Sequence, residues 1–193
     1  MIITKTPLRI PIAGGGTDLP LFTKITSGKV ITMSINQYIY TYIFNRHETD
    51  TTIVQTSNLQ EVILNKQIKH NLIRETLNYF KINEKIHVGF FSTMPTRSGT
   101  GSSSSLIVGL INAILKLKKL KKTKKEISQI AIRIERVILN EKGGIQDQIA
   151  ATYGGVNRID FNKREIKIKK LKKNLEKLEN NIALIYTNIS RTA

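Results

Sequence analysis

The chain has 193 residues, 31 Lys and Arg against 14 Asp and Glu for a net charge of +17, 40% hydrophobic residues and no cysteine. That length suffices to bury a sizeable core in one domain or two small ones. The lack of cysteine excludes a disulfide scaffold, a thiolate metal site and a cysteine nucleophile, and His47, His70 and His87 make no sequence cluster that would replace them.

From the N-terminus, Leu8, Ile10 and Ile12 alternate with Arg9 and Pro11 as in a strand that keeps Arg9 off the core face. Lys5, Pro7 and Arg9 interrupt the apolar run, which argues against a signal peptide. Gly14 to Asp18 (GGGTD) is a loop. Leu19 stands where a GxGxxG fingerprint needs its last glycine, so a dinucleotide site is disfavoured, and the loop reads equally as a tight turn or a ligand-facing segment. Residues 30–44 are β-branched and aromatic, compatible with one long strand or two paired ones. Shorter strands are expected at 51–56 and 61–64, a helix at 70–80 and a strand at 84–92.

Residues 93–101 form a loop punctuated by Pro95, Gly99 and Gly101. Over 102–117, Leu106, Leu110, Ala113, Ile114 and Leu117 fall on one helical face. The segment 94–105 (MPTRSGTGSSSS) is the strongest local signal. Small residues let a ligand approach the backbone, and the free N–H groups of a first helical turn favour an anion, so the segment reads as a phosphate cradle. It lacks the Gly-Lys-Ser/Thr of a Walker loop. The plainer alternative is a flexible loop with a serine cap.

Thr123 and Glu126 have capping-box spacing, and Ile127, Ile130, Ala131, Ile134 and Ile138 continue a second amphipathic helix that Gly143 and Gly144 stop. Glu135, at the margin of that stripe, reads either as a surface carboxylate paired with a neighbouring Arg or as a group reaching toward Asp147, one of only four Asp in the chain. Asp147 lies between Gln146 and Gln148 after the glycine pair. Strands are expected at 155–161, 164–168 and 182–187. Strands and helices without regular βαβ alternation argue for an α+β fold. The longest apolar run, 106–111, is far too short to cross a membrane, and the expected location is cytoplasmic.

The charge is concentrated. Residues 116–125 hold seven Lys and no acid, and 162–179 hold eight basic and three acidic residues, so the two segments carry +12 of the +17. With 22 Lys to 9 Arg and 31 Ile to 7 Val, the usage resembles a general substitution bias. Arg and aromatics are not interleaved with the Lys runs, which favours solvated surface over a nucleic-acid-binding module.

TPLRIPIAGGGTDLP, PTRSGTGSSSS and GGIQDQIAATYGG, in this order and with IERVILNE, GGVNRIDF and YTNISRTA as flanks, resemble the successive motifs of the GHMP small-molecule kinases, in the branch of the heptose 7-phosphate kinases. The resemblance implies a fold like domain 2 of ribosomal protein S5 and use of ATP and Mg2+. It implies ATP contacts from Pro95, Ser98, Gly99, Gly101, Ser102, Ser103 and Ser104, and magnesium ligation by Ser103 and Glu135. Asp147 matches the catalytic aspartate and Arg9 a basic residue beside it. Gly16, Thr17 and Asp18 match the sugar-binding loop, while Arg97, Arg158 and Arg191 are candidates for the substrate phosphate. The acceptor would be the anomeric hydroxyl of D-glycero-D-manno-heptose 7-phosphate, giving the 1,7-bisphosphate for nucleotide-heptose and surface polysaccharide synthesis. A fucose- or galactose-type kinase is the alternative within the class.

The family also implies a ferredoxin-like C-terminal domain. The chain therefore reads as the N-terminal domain of such a kinase, residues 1–193, truncated before that domain or complemented by a separate chain. On that reading the isolated chain is expected to be weakly active or an inactive remnant.

Overall fold

The computed structural model describes residues 1–47, 49–95, 98–162, 165–172, 175–185 and 187. A single sheet is built around one long strand. β1 (Ile2–Ala13) runs antiparallel to β2 (Gly28–Asn45), and β2 is shared end to end by two further antiparallel partners. Its C-terminal half pairs with β5 (Ile86–Ser92) and its N-terminal half with β6 (Val156–Phe161), which continues to β7 (Ile166–Leu171). Beyond β5 lie β3 (Thr52–Gln55), parallel to it, and β4 (Leu59–Val62). The β-branched run at 30–44 is thus one strand, long enough to serve two neighbours on one edge while β1 occupies the other.

β1 departs from strict alternation. Pro7 pairs with Tyr38 but Arg9 with Ser34, so β2 carries extra residues at this point, and a second irregularity falls between Pro11 and Ala13. Such a bulge re-aims neighbouring side chains. Leu8 and Arg9 are both buried, whereas Ile12, expected on the core face, is exposed.

The helices are α1 (Pro20–Thr23), α2 (Asn71–Tyr79), α3 (Ser102–Leu117), α4 (Lys124–Ile132), α5 (Gln146–Tyr153) and α6 (Leu175–Glu179). α3 matches its expected bounds, but it is buried on nearly every side rather than along one face. Leu106, Ile107 and Ile111 pack with Leu8, Ile39, Ile127 and Ile130, while Leu110 and Ile114 join Ile43, Val88, Ile73 and Leu77. A helix between a sheet and other helices has little solvent to face. Gly109 lets it approach the sheet: a Cβ there would lie 2.9 Å from the hydroxyls of Thr6 and Thr41. Thr4 donates to the Gly109 carbonyl across the same contact at 2.9 Å.

The capping box forms as expected, with Thr123 and Glu126 bonded reciprocally. Thr123's backbone amide, then Lys122 and the Thr123 hydroxyl, hold the Glu126 carboxyl down to about 2. After Ile132 the helix widens into a π-helical stretch, Arg133–Ile138. The change of pitch breaks the stripe read from the sequence, leaving Ile138 42% exposed and Glu135 1% exposed. α5 was not expected. Its apolar residues Ile149, Ala150 and Ala151 are consecutive and give no helical period, yet all three are buried, Ile149 with residues of β2 and β6 and Ala151 with residues of α3 and α4. Residues 182–185 are exposed and form no strand.

The Lys-rich turn between α3 and α4 is exposed at nearly every Lys. None of the described helices is long and apolar enough to cross a membrane. We expect Gly109→Val to lower unfolding stability by about 1–3 kcal/mol, since the added methyls have no space against the threonines. Urea melts that leave the midpoint unchanged would show that α3 can back away from the sheet at no cost.

Candidate active site

Arg9 and Asp147 form the centre of the site. The Arg9 Nε donates to Asp147 Oδ1 at 2.7 Å and Nη2 donates to Oδ2, a bidentate pair with both side chains largely buried. Planar guanidinium matched to planar carboxylate gives geometric specificity that Lys would not supply. The third nitrogen, Nη1, donates to the Gly99 carbonyl at 2.7 Å, and the Arg9 backbone N–H donates to Thr100 at 3.0 Å. Asp147 lies in the first turn of α5, where the helix dipole favours a carboxylate.

The loop held by Arg9 leads directly into α3. Gly99 and Gly101 both adopt positive φ, 76° and 73°. Gly101 precedes the helix with no side-chain cap, and a Cβ there would lie 3.3 Å from the Arg9 Cγ and Nε. Glycine is thus required twice over at 101, by its dihedral and by the guanidinium beneath it. Ser98 and Thr100 share a 2.8 Å hydroxyl bond, and Ser105 anchors the first turn by donating to the Pro7 carbonyl at 2.8 Å. The outward N–H groups of Ser102, Ser103 and Ser104 open the helix, an arrangement suited to phosphate oxygens.

Glu135 sits behind this turn. Ser103 Oγ donates to its Oε1 at 2.8 Å, Ser104 Oγ to its Oε2 at 2.9 Å, and Gln148 Nε2 also to Oε2. Burial pushes the carboxyl above the usual carboxylate range, opposed by the bonds from Gln148, Ser103 and Ser104. The surface reading of Glu135 is therefore overturned. Ser103 is exposed, so the pair offers one accessible hydroxyl and one buried carboxylate, both hard oxygen donors. No group of three or more His, Asp or Glu that could hold a metal exists among the described residues. Mg2+ fits Ser103 and Glu135 only with other oxygens, such as phosphate and water, completing its shell.

Asp18 is buried and faces the loop before α5. Gln146 donates to it twice, from its backbone N–H at 2.9 Å and from Nε2 at 3.0 Å. A Cβ on Gly144 would fall 1.8 Å from Asp18 Oδ2, so the carboxylate occupies the space of that missing side chain. Thr17 is committed elsewhere: its hydroxyl lies 2.8 Å from Gly14 O and accepts from Lys29 N at 3.0 Å. Gly16, with φ 89°, has open space around it.

The structure thus brings together Arg9, Asp147, Gly99, Gly101, Ser103, Ser104 and Glu135, with Asp18 joined to them through Gln146 and Gly16 and Thr17 preceding it in the same loop. Pro95 is exposed, Ser98 and Ser102 are half-buried, and Arg158 is paired with Asp160 at 2.9 Å on β6. Arg97 and Arg191 lie outside the described residues. Sequence reasoning did not single out Gln146 and Gln148 as the groups that hold the two carboxylates. Their i, i+2 spacing around Asp147 at a helix start would have shown it only with α5 recognised.

Residues 68–155 match the family model for the GHMP kinases N terminal domain. The chain is 33% identical over 210 residues to the D-glycero-alpha-D-manno-heptose 7-phosphate kinase of Campylobacter jejuni, covering 100% of this chain and 61% of that protein. Its structure is similar to that of a D-glycero-D-manno-heptose 1-phosphate kinase from Bacteroides thetaiotaomicron, with TM-score 0.81, 26% identity, and coverage of 89% of this chain and 60% of that one. The mevalonate kinase of Methanococcus jannaschii shares the fold at TM-score 0.70 and 21% identity over 93% of this chain and 58% of that one. The chain spans about three fifths of the length of these relatives.

Because the Glu135 carboxyl is raised in the folded chain, its ionised form costs stability as pH rises from the unfolded value through the folded one. Glu135→Gln removes that charge. Urea midpoints for variant and parent, compared at about pH 4 and about pH 8, should shift in favour of the variant at the higher pH. A difference independent of pH would contradict a buried, titrating Glu135.

Proposed function

Starting from a chain that carries a GHMP kinase N-terminal domain, we propose that it serves ATP-dependent phosphorylation of a sugar phosphate, with D-glycero-D-manno-heptose 7-phosphate as substrate and its anomeric hydroxyl as acceptor. The observation that carries this reading is the Arg9 guanidinium, which bonds at once to the Asp147 carboxylate and to the Gly99 carbonyl of the loop opening α3. One residue thus connects the place for an acceptor hydroxyl with the place for phosphates.

In this reading the α3 N-terminus, with Ser98, Gly99, Gly101, Ser102, Ser103 and Ser104 and with Pro95 at the entry, receives the ATP phosphates. Asp147 accepts the proton of the attacking hydroxyl as the new O–P bond forms and the bond from the γ-phosphorus to ADP breaks. Arg9 orients Asp147 and balances charge on the transferring group. Mg2+ at Ser103 and Glu135 would supply charge neutralisation at the phosphates. Gly16 faces the sugar; Asp18, buried and bonded to Gln146, supports that loop from behind, Thr17 holds it to β2, and Arg97 and Arg191 are assigned to the substrate phosphate. The relatives' names place the substrate phosphate at C7 in one case and C1 in the other. The choice of C7 follows the relative that aligns over the whole chain.

Calorimetric titration with ATP and Mg2+, and ADP release with heptose 7-phosphate, heptose 1-phosphate and unphosphorylated sugars, test the reading. Asp147→Asn should leave ATP affinity within a few-fold and lower turnover by about 100-fold or more. Absence of ATP binding, or a variant that turns over like the parent, would overturn it.

A further inference from the structure

Arg136 belongs to neither the phosphate loop nor the Arg9–Asp147 pair, yet it holds the segment that links Glu135 to Asp147. It follows Glu135 in the π-helical stretch, and its Nε donates to the Gly144 carbonyl at 3.0 Å. Its Nη1 donates to the carbonyls of Lys142 at 3.1 Å and Glu141 at 3.3 Å. The Glu141 N–H in turn donates to the Glu135 carbonyl at 3.0 Å. Gly143, with φ 134°, passes close to the guanidinium, at 3.4 Å from a Cβ position to Cζ. A short irregular loop therefore has three of its peptide carbonyls, those of residues 141, 142 and 144, tied to one rigid fork.

The consequence runs along contacts already described. Gly144, fixed by Arg136, packs against the Asp18 carboxylate, and Asp18 accepts both bonds from Gln146. Asp147 is the next residue. Glu135, one residue before Arg136, holds Ser103 and Ser104 at the other end. We infer that Arg136 is a positioning residue: by clamping 141–144 it sets the separation between the Ser103–Glu135 pair and Asp147, and so between nucleotide and acceptor. This rests on the kinase reading above, whereas the clamp itself does not.

The test compares the parent with Arg136→Ala and Arg136→Lys, and with Arg74→Ala as control, since Arg74 also donates to a backbone carbonyl, Ile68 O at 2.8 Å, away from the site. Amide exchange followed residue by residue by NMR should rise at least about tenfold at Glu141 and Gln146 in Arg136→Ala, with core amides of α3 unchanged. Turnover should fall by about 10- to 100-fold with ATP affinity altered by less than about threefold. Arg136→Lys, which keeps charge without the planar fork, should fall between the two, and Arg74→Ala should match the parent. Unchanged exchange at Glu141 and Gln146 would overturn the proposal, as would a uniform rise across the chain or an equal loss of ATP affinity. Should the parent transfer no phosphate, the exchange pattern alone decides the clamp, and ATP binding decides the kinase reading separately.

Discussion

The Arg9 guanidinium is shared by three parts of the chain that lie far apart in sequence, and the rest of the site is arranged around it. Taking such a charge from water is costly, and the cost is offset only when its donors are matched. Here two nitrogens meet the Asp147 carboxylate and the third meets a peptide carbonyl. The bulge in the β1–β2 pairing brings Arg9 inward, and Gly101 leaves room for it. Strand, loop and α5 therefore take their relative positions from a single side chain, and none of the three is free to shift without leaving a buried polar group unpaired.

The second carboxylate follows a different physical rule. Among the described residues no cation is bonded to Glu135; three neutral donors surround it, and burial opposes its ionisation. A carboxylate in that state gains from an approaching positive charge more than one already paired with an Arg does. The two acids of the site are thereby differentiated: one is matched to a guanidinium inside the protein, and the other is left with capacity for a cation from outside.

Much of this was legible from the residues alone, for identifiable reasons. The period of α3, the Thr123–Glu126 capping box and the β-branched run of β2 are local signals, and each appears within a residue or two of its expected place. The glycine loops showed where the backbone had to be approached closely. What stayed hidden depends on pairing or on pitch. The bulge that buries Arg9 beside Leu8 lies in the register between two strands, and the π-helical widening that turns Glu135 in and Ile138 out breaks the very periodicity from which that helix was read. α5 has no stripe because it is short and its apolar residues are adjacent, and the roles of Gln146 and Gln148 depend on it.

The close packing of Gly144 against Asp18 restricts the order in which the chain can change. Any side chain at position 144 must enter space that the Asp18 carboxylate fills, so the two positions are not independent. A residue larger than glycine becomes tolerable at 144 only after position 18 has shrunk, and shrinking it removes the acceptor for both Gln146 bonds. The first step along that route already loosens the turn that carries Asp147, so the route to a bulkier loop passes through a chain whose site has come apart.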